Sequence, residues 1–438
     1  MSIELITITM FGSMLILLML GLPVAFSCGA VGVIFTAILQ GPAAVNIVPT
    51  RIFGLMVNYL LAAIPLFIFM ACILERGGLI AEIYEMVHQW VGWLKGGVAT
   101  ASVGACTLMA AMVGVIGASE VTMGVIALPE MLKRRYDKYI AAGSILAGGT
   151  LGILIPPSVM LIVYGMVDNS SIGQLYAGAF LPGFLLAALY IAYITIRCYI
   201  NPRLGPAIPK EERLPLMGKL KKTFPIIPAG ILIFLVLGTI IVGIAAPTEA
   251  AGVGAAGAII LTGIQGKLKW KGVVEACENT LKSSAMVLWT MFGANVFVAL
   301  YVMVGGAQFV TDTLVGSGLS KWMILVIMQL ILIFLGCFID WVGIVMLTVP
   351  IFGVIIRKLG FDPIWFGVLF AVNLQMSFLS PPFGYALFYL KGVAPPEIST
   401  TDIWRAAAPF LALQFLGLVL CMIFPDIILV VPTYFYRG

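Results

Sequence analysis

Charge and histidine are what this chain has least of. Only 10% of its 438 residues are charged, against roughly 25% in a soluble protein. The 24 Lys+Arg and 19 Asp+Glu cannot cover a water-facing surface of this size, and 62% of the residues are hydrophobic. A soluble globular enzyme and a disordered chain are therefore excluded. A membrane β-barrel is excluded as well, because its lumen face would keep far more polar residues in alternation. One histidine, His88, cannot build a zinc site or a histidine proton relay. The seven cysteines stand singly and form no CxxC, so neither a metal cluster nor a disulfide framework is indicated. No Ser/His/Asp arrangement or phosphate loop is present, which makes a membrane enzyme the weakest reading. No cleavable signal peptide is expected, since Glu4 opens an apolar run without a basic n-region.

What is present is a series of long apolar runs. The sequence predicts an all-α polytopic membrane protein, and at about 20 residues per span its length admits on the order of ten to twelve segments. Spans are expected near 5–20, 23–40, 60–74, 139–166, 172–199, 224–244, 247–264, 284–304, 364–390 and 406–424. Two further apolar regions, 98–131 and 322–355, are interrupted.

The net charge of +5 is placed in loops, as positive-inside bias and not as a nucleic-acid surface. The segment 201–222, the run Lys133 to Lys138 and the run Lys267 to Lys271 are all basic. All three can face the cytoplasm only if 98–131 enters and leaves by one face, which makes it a re-entrant hairpin. Region 322–355 is then a second hairpin from the opposite face. The count is ten crossings and two hairpins, with both termini outside. Glu75 to Lys95, with Trp90 and Trp93, reads as an amphipathic interfacial helix, and 305–321 holds the matching place.

A shift of 225 positions superposes Gly29-Ala30-x-Gly32 on Gly254-Ala255-x-Gly257, Tyr136-Asp137 on Phe361-Asp362, and Pro156-Pro157 on Pro381-Pro382. A shift of 221 brings Ser119 onto Asp340. Residues 1–200 and 223–438 therefore read as two repeats joined by a cytoplasmic linker, 201–222. Five crossings in each half would make the repeats inverted, an arrangement typical of secondary transporters.

Proline in mid-span removes a donor and clashes with the preceding turn, so Ile155-Pro156-Pro157-Ser158 and Leu379-Ser380-Pro381-Pro382 cannot continue a regular helix. The freed carbonyls must meet protein, water or an ion. Carbonyl and hydroxyl oxygens suit a hard cation such as sodium, and half-helix N-termini suit an anion. Glu120 and Asp340 are acids in apolar runs near two hairpin tips, where a functional role is the default. Two cation sites are expected: Ser119 and Thr122 with Gly149 and Thr150, and Asp340 with Asn373 through Ser380. Plainer readings stand beside these. Pro-Pro can be a mere kink, Glu120 and Glu249 can be helix-start acids, His88 can be structural, and the Gly-rich stretch 252–257 can be close helix packing.

Taken together, several motifs resemble the large membrane (M) subunit of tripartite ATP-independent periplasmic (TRAP) transporters, the DctM-like family. They are Gly149-Thr150-Leu151-Gly152 through Pro156-Pro157-Ser158, Ala246-Pro247-Thr248-Glu249-Ala250-Ala251, Leu379-Ser380-Pro381-Pro382-Phe383-Gly384, and Leu359-Gly360-Phe361-Asp362-Pro363 through Gly367. The resemblance covers nearly the whole chain. It implies an elevator-type ion transporter fold, a bacterial inner-membrane location and sodium ions as coupling ions, with no other cofactor. It also implies three companions: a small four-helix membrane (Q) subunit, a periplasmic substrate-binding (P) protein and a small organic anion as cargo.

By motif, the family's sodium ligands carry onto Ser119, Thr122, Gly149, Pro156, Asp340, Ser380 and Pro381. Under this resemblance the scaffold takes helices in 1–58, 172–200, 223–264 and 406–424. The transport domain takes hairpins 98–131 and 322–355 with broken helices 139–166 and 364–390. The substrate cavity is expected among Glu120, Ser158, Trp341, Phe383 and Tyr385. Trp341 with Ser380, Phe383 and Tyr385 is similar to the branch named for mannitol and chloroaromatic compounds. The first tip departs from the family's usual Gly-Ser-Ser: Ala118 replaces a serine and Glu120 follows, which either removes the first cation site or gives Glu120 a ligand or proton-carrying role. A stand-alone cation-coupled dicarboxylate carrier is the rival within the superfamily, and a channel the rival outside it.

Overall fold

In this computed structural model, residues 1–113, 116–381 and 384–436 are described, and they form helices joined by short turns with no strand among them. Helices α1 (Ile3–Met19), α2 (Val24–Gln40), α3 (Ile47–Met56) and α4 (Ala63–Arg76) lead to α5 (Leu79–Val91). The first hairpin is α6 (Gly97–Val113) and α7 (Ile116–Lys133), and the first broken helix is α8 (Lys138–Thr150) and α9 (Val159–Asp168). The long α10 (Ile172–Ile200) and the short α11 (Leu216–Thr223) close that half.

The second half opens with α12 (Ile227–Ile241), α13 (Pro247–Ile264), α14 (Trp270–Met303) and α15 (Gly306–Val315). Its hairpin is α16 (Lys321–Gly336) and α17 (Trp341–Lys358), and its broken helix is α18 (Pro363–Leu379) and α19 (Tyr385–Val393). Two helices, α20 (Thr400–Ile423) and α21 (Asp426–Tyr436), end the chain's described part. Seven stretches are helical, long and apolar enough to cross a membrane: 59–76, 172–200, 216–241, 247–264, 270–303, 341–358 and 400–423. Other apolar helices, α1 and α2 among them, are 10–17 residues long.

The paired Tyr136-Asp137 and Phe361-Asp362 have one physical job. Asp137 caps α8 by accepting from the Tyr139 and Ile140 amides at 3.0 and 3.1 Å. Asp362 caps α18 by accepting from the Ile364 and Trp365 amides at 2.8 and 3.2 Å. Each broken helix thus starts from the same signal.

Packing sorts the helices into two groups. In one, α14 lies along α2 and α4, and α13 along α4 and α12. Small residues let these backbones close: a Cβ on Gly293 would fall 2.0 Å from the Ala25 carbonyl oxygen, and one on Gly32 would fall 2.9 Å from the Phe297 nitrogen. Gly254 and Gly257 likewise face Met70 and Leu232, so the 252–257 stretch is a packing surface. In the other group, hairpins and broken helices pack with α10 and α20. The Trp365 indole donates to the Cys421 carbonyl at 3.1 Å, tying α18 to α20. Gln414 of α20 donates to the Thr150 hydroxyl of α8 at 3.2 Å.

Three boundaries differ from the sequence reading. Gly78 takes a left-handed φ of +77°, so Glu75 and Arg76 end α4 and the amphipathic helix begins only at Leu79. Helix α14 starts at Trp270 and not near 284. Its 34 residues reach about 51 Å at 1.5 Å per residue, well beyond a hydrocarbon core of about 30 Å. Its first turns carry Lys271, Glu275, Glu278 and Lys282, and Arg76 pairs with Glu275 at 2.8 Å. Helix α21 continues beyond the last expected span and packs against α10, where Gly178 leaves room for the Ile428 carbonyl.

Candidate functional site

The chain breaks twice in the middle of the second group. At the first break, α8 ends at Thr150, a single 3-10 turn covers 151–153, and Pro156 and Pro157 forbid continuation. Ser158 restarts the helix: its hydroxyl accepts from the Leu161 amide at 3.4 Å and donates to the Ile153 carbonyl. The buried Tyr176 hydroxyl of α10 donates to the Ser158 carbonyl at 3.2 Å, so neighbouring helices satisfy part of the freed backbone. At the second break, Ser380 is extended and its hydroxyl donates to the Met376 carbonyl at 2.7 Å. Gly384 closes the turn by donating to the Ser380 carbonyl at 2.9 Å. Only glycine fits there, because a Cβ would fall 2.7 Å from the Phe378 carbonyl oxygen. Helix α19 then starts without a side-chain cap.

Glu120, near the start of α7, is fully buried, and neither of its oxygens has a hydrogen-bond partner among the described residues. It lies in a notch that Gly149 leaves open: a Cβ on Gly149 would fall 2.1 Å from Glu120 Cγ and 2.9 Å from Oε1. The first tip and the first break therefore meet through this pair. Ser119 and Thr150 are buried beside them, and the Thr150 hydroxyl donates to the Ala147 carbonyl at 2.9 Å. Thr122 is placed otherwise, within reach of the Glu75 carboxylate at the end of α4. Gly114 and Val115, in the tip itself, lie outside the described residues.

Asp340 caps α17, accepting from the Gly343 amide at 3.2 Å through Oδ1, while Oδ2 is buried without a partner among the described residues. The second tip touches the second broken helix at Gly336, where a Cβ would fall 1.8 Å from Ser377 Oγ. Asn373 donates through Nδ2 to the Gln329 carbonyl at 3.0 Å and side-chain oxygen at 2.6 Å, which leaves its own Oδ1 without a partner among the described residues. Ser377 Oγ and both ends of Gln375 are likewise buried and unpartnered among the described residues. The range 373–380 includes Ser377 and Gln375, whose signal in the sequence is two polar residues inside an apolar run that ends in Pro-Pro. Buried polar atoms without partners are costly, and the second broken helix concentrates several of them ahead of its break.

A cavity of about 130 Å³ opens between the two helix groups. Trp341, Val342 and Gly117 come from the helices that follow the tips, Met160 and Val159 from α9, Phe378 and Tyr389 from the second broken helix, and Ser283, Met286 and Val287 from α14. Tyr389 lies over Gly117, with ring atoms 3.2–3.4 Å from where a Cβ would be. Of the expected cavity residues, Trp341 lines this space. Ser158 is fully buried at its cap, Glu120 is turned to Gly149, and Tyr385 packs on Phe378 with ring centroids 6.2 Å apart. Phe383 lies outside the described residues, and Pro156 and Pro381 contribute their backbone breaks. No Lys or Arg lines the cavity among the described residues.

The sequence matches the family model described as tripartite ATP-independent periplasmic transporter, DctM component, over residues 11–427. It is 30% identical to the C4-dicarboxylate TRAP transporter large permease protein DctM of Vibrio cholerae, over 99% of this chain and 98% of that one. It is also 30% identical to the sialic acid TRAP transporter large permease protein SiaM of the same organism, over 96% of each chain. The isethionate TRAP transporter permease protein DctMQ of Oleidesulfovibrio alaskensis is 29% identical over 97% of this chain and 66% of that longer one. Among solved structures, the antimetabolite efflux pump MtrF of Neisseria gonorrhoeae superposes with a TM-score of 0.62 at 14% identity, over 88% of this chain and 84% of that one. At that identity the likeness is one of fold.

Proposed function

The chain belongs to the DctM component family of tripartite ATP-independent periplasmic transporters, and from that premise we propose that it is the large permease subunit of a sodium-coupled uptake system for a small organic anion. The observation that carries the coupling is the pair of buried carboxylates at the helix junctions. Glu120 and Asp340 each hold an oxygen with no hydrogen-bond partner among the described residues, and a carboxylate left uncompensated in a membrane interior is expensive. A bound cation neutralises each. In this proposal Ser119, Gly149 and Thr150 serve the first carboxylate, which lies in the Gly149 notch, and Asn373, Ser377, Ser380 and Pro381 serve the second, while Thr122 lies toward Glu75 instead. Oxygen donors of this kind suit a hard monovalent cation.

The cargo is a small carboxylate, 2-oxo acid or sulfonate. With no cationic side chain in the cavity, its charge is balanced by the bound cations and by helix N-termini such as that of α19. Movement follows the packing: α6–α10 and α16–α21 form a body that slides against α1–α4 and α12–α14, carrying the cavity wall with it as an elevator. In this proposal the helices at 172–200 and 406–424, read from the sequence as scaffold, travel with the moving body, a choice supported by the packing of α10 and α20 on the hairpins and broken helices. A small four-helix membrane subunit and a periplasmic binding protein complete the system in a bacterial inner membrane, a reading supported by the M-and-Q name of the Oleidesulfovibrio relative.

The test is co-purification of the tagged chain in mild detergent, then reconstitution in proteoliposomes with the proteins recovered beside it. Uptake of the binding protein's ligand that requires all three components supports the assignment. Uptake by the chain alone would instead make it a stand-alone carrier.

A further inference from the structure

A second pocket, remote from the transport cavity, has the chemistry of an anion cradle. It holds about 490 Å³ and lies where the turn between α4 and α5 meets the turn between α13 and α14. Arg76, Lys267, Lys269 and Lys271 line it against one lining carboxylate, Glu275. Arg76 pairs with Glu275 at 2.8 Å and Lys267 with Glu82 of α5 at 2.5 Å, which leaves Lys269 and Lys271 as surplus positive charge on exposed positions. Helix α14 begins in the pocket, and Lys269 gives it no side-chain cap. The first amides of a 34-residue helix are therefore turned toward the same space, at the positive end of its dipole. Gly77, Gly78, Gly266 and Gly272 keep the walls low.

The surroundings identify the medium. Ile264 and Trp270, beside the basic run, are each 81% exposed. An apolar residue and an indole left bare at a helix end mark the boundary between acyl chains and headgroups. The pocket also lies at the end of the molecule that holds the basic linker. Gln265 donates to the Pro225 carbonyl at 3.2 Å, and Lys222 reaches Glu85 of α5.

We propose that this pocket binds the headgroup of an anionic phospholipid, with the phosphate between Lys269, Lys271 and the first turn of α14 and the acyl chains running past Ile264. The lipid joins the two turns from which α5 and α14 extend. It thereby fixes the static helices against which the other body moves. Basic pockets between membrane helices take such headgroups, each lysine near the surface contributing a comparable increment.

The test uses the full chain, delipidated in detergent and supplied with phosphatidylglycerol, phosphatidylcholine or inorganic phosphate. Native mass spectrometry and thermal unfolding are the readouts. Phosphatidylglycerol should bind and raise the unfolding temperature, while phosphatidylcholine and inorganic phosphate should do neither. The double variant Lys269→Ala, Lys271→Ala should weaken phosphatidylglycerol binding ~30-fold, about fivefold per lysine. The charge-matched control, Lys210→Ala with Lys221→Ala in the linker, should bind as the parent does. Equal binding of phosphatidylcholine, an equal effect in the control, or stabilisation by inorganic phosphate to the same degree would overturn the proposal.

Discussion

At the residue scale, two glycines do as much for the site as the acids do. Gly149 exists to admit Glu120, and Gly336 to admit Ser377. Replacing Gly336 by Ala places a methyl 1.8 Å from Ser377 Oγ, an overpacking that costs about 1–3 kcal/mol. Thermal unfolding of the purified variant should show a lowered transition temperature, and Ser377→Gly in the same chain should recover much of it. An unchanged temperature for the single variant would mean the two helices are not held this closely. His88 on α5 offers a pH handle outside the spans. Burial holds its imidazole below the ordinary range, against the opposing pull of Glu130, whose Oε1 lies 3.5 Å away. A base with a depressed folded-state pKa takes up its proton more readily on unfolding. Stability is therefore fully present above about pH 6.5, the ordinary imidazole value, and declines as pH falls below it. His88→Gln should flatten that decline in unfolding temperature on the acid side and leave the alkaline side unchanged.

At the element scale, the sequence was most legible where local chemistry acts alone. The double prolines and most apolar runs could be read because each works within a few residues of itself; the aspartates at 137 and 362 were visible only as a repeated pair, and their capping role came with the structure. The start of α14 could not, because its first turns are polar and are held by an ion pair to Arg76, nearly two hundred positions away. Helix α21 was hidden by Pro432 inside it and by a partner surface on α10 that exists only after folding. At the site, Asp340 and Glu120 were visible as acids in apolar runs. The placement of Thr122 toward Glu75, and of Glu120 into the Gly149 notch instead of the cavity, depends on side-chain directions set by tertiary packing. The break itself is testable. Pro156→Ala with Pro157→Ala removes the block between α8 and α9 and lets the backbone hydrogen bonds of a continuous helix form. The expected result is a chain that folds and inserts, with near-parental circular dichroism, but transports at least tenfold more slowly. Parental transport would mean that the break is only a kink.

At the scale of the whole molecule, the proposed elevator movement requires the two helix groups to slide past each other. Met160 on α9 and Met286 on α14 line one cavity from opposite groups. Met160→Cys with Met286→Cys, in a chain with the exposed Cys277 replaced by Ser, should be bridged across the cavity by a bifunctional thiol reagent with a reducible spacer. Uptake should stop on cross-linking and return on reduction. Full uptake by the bridged protein would mean that the groups do not move relative to each other at this level.

The central claim is that two carboxylates at the helix junctions bind the coupling cations. It is tested most directly by a sodium titration of substrate uptake in proteoliposomes containing the permease and its companions, for the parent chain, Glu120→Gln and Asp340→Asn. The account predicts uptake that is absent without sodium and rises cooperatively with it. It also predicts half-saturation shifted upward by about tenfold or more in each variant, the loss of roughly 1.4 kcal/mol of cation binding. Uptake that proceeds equally without sodium, or two variants that follow the parental curve, would contradict it.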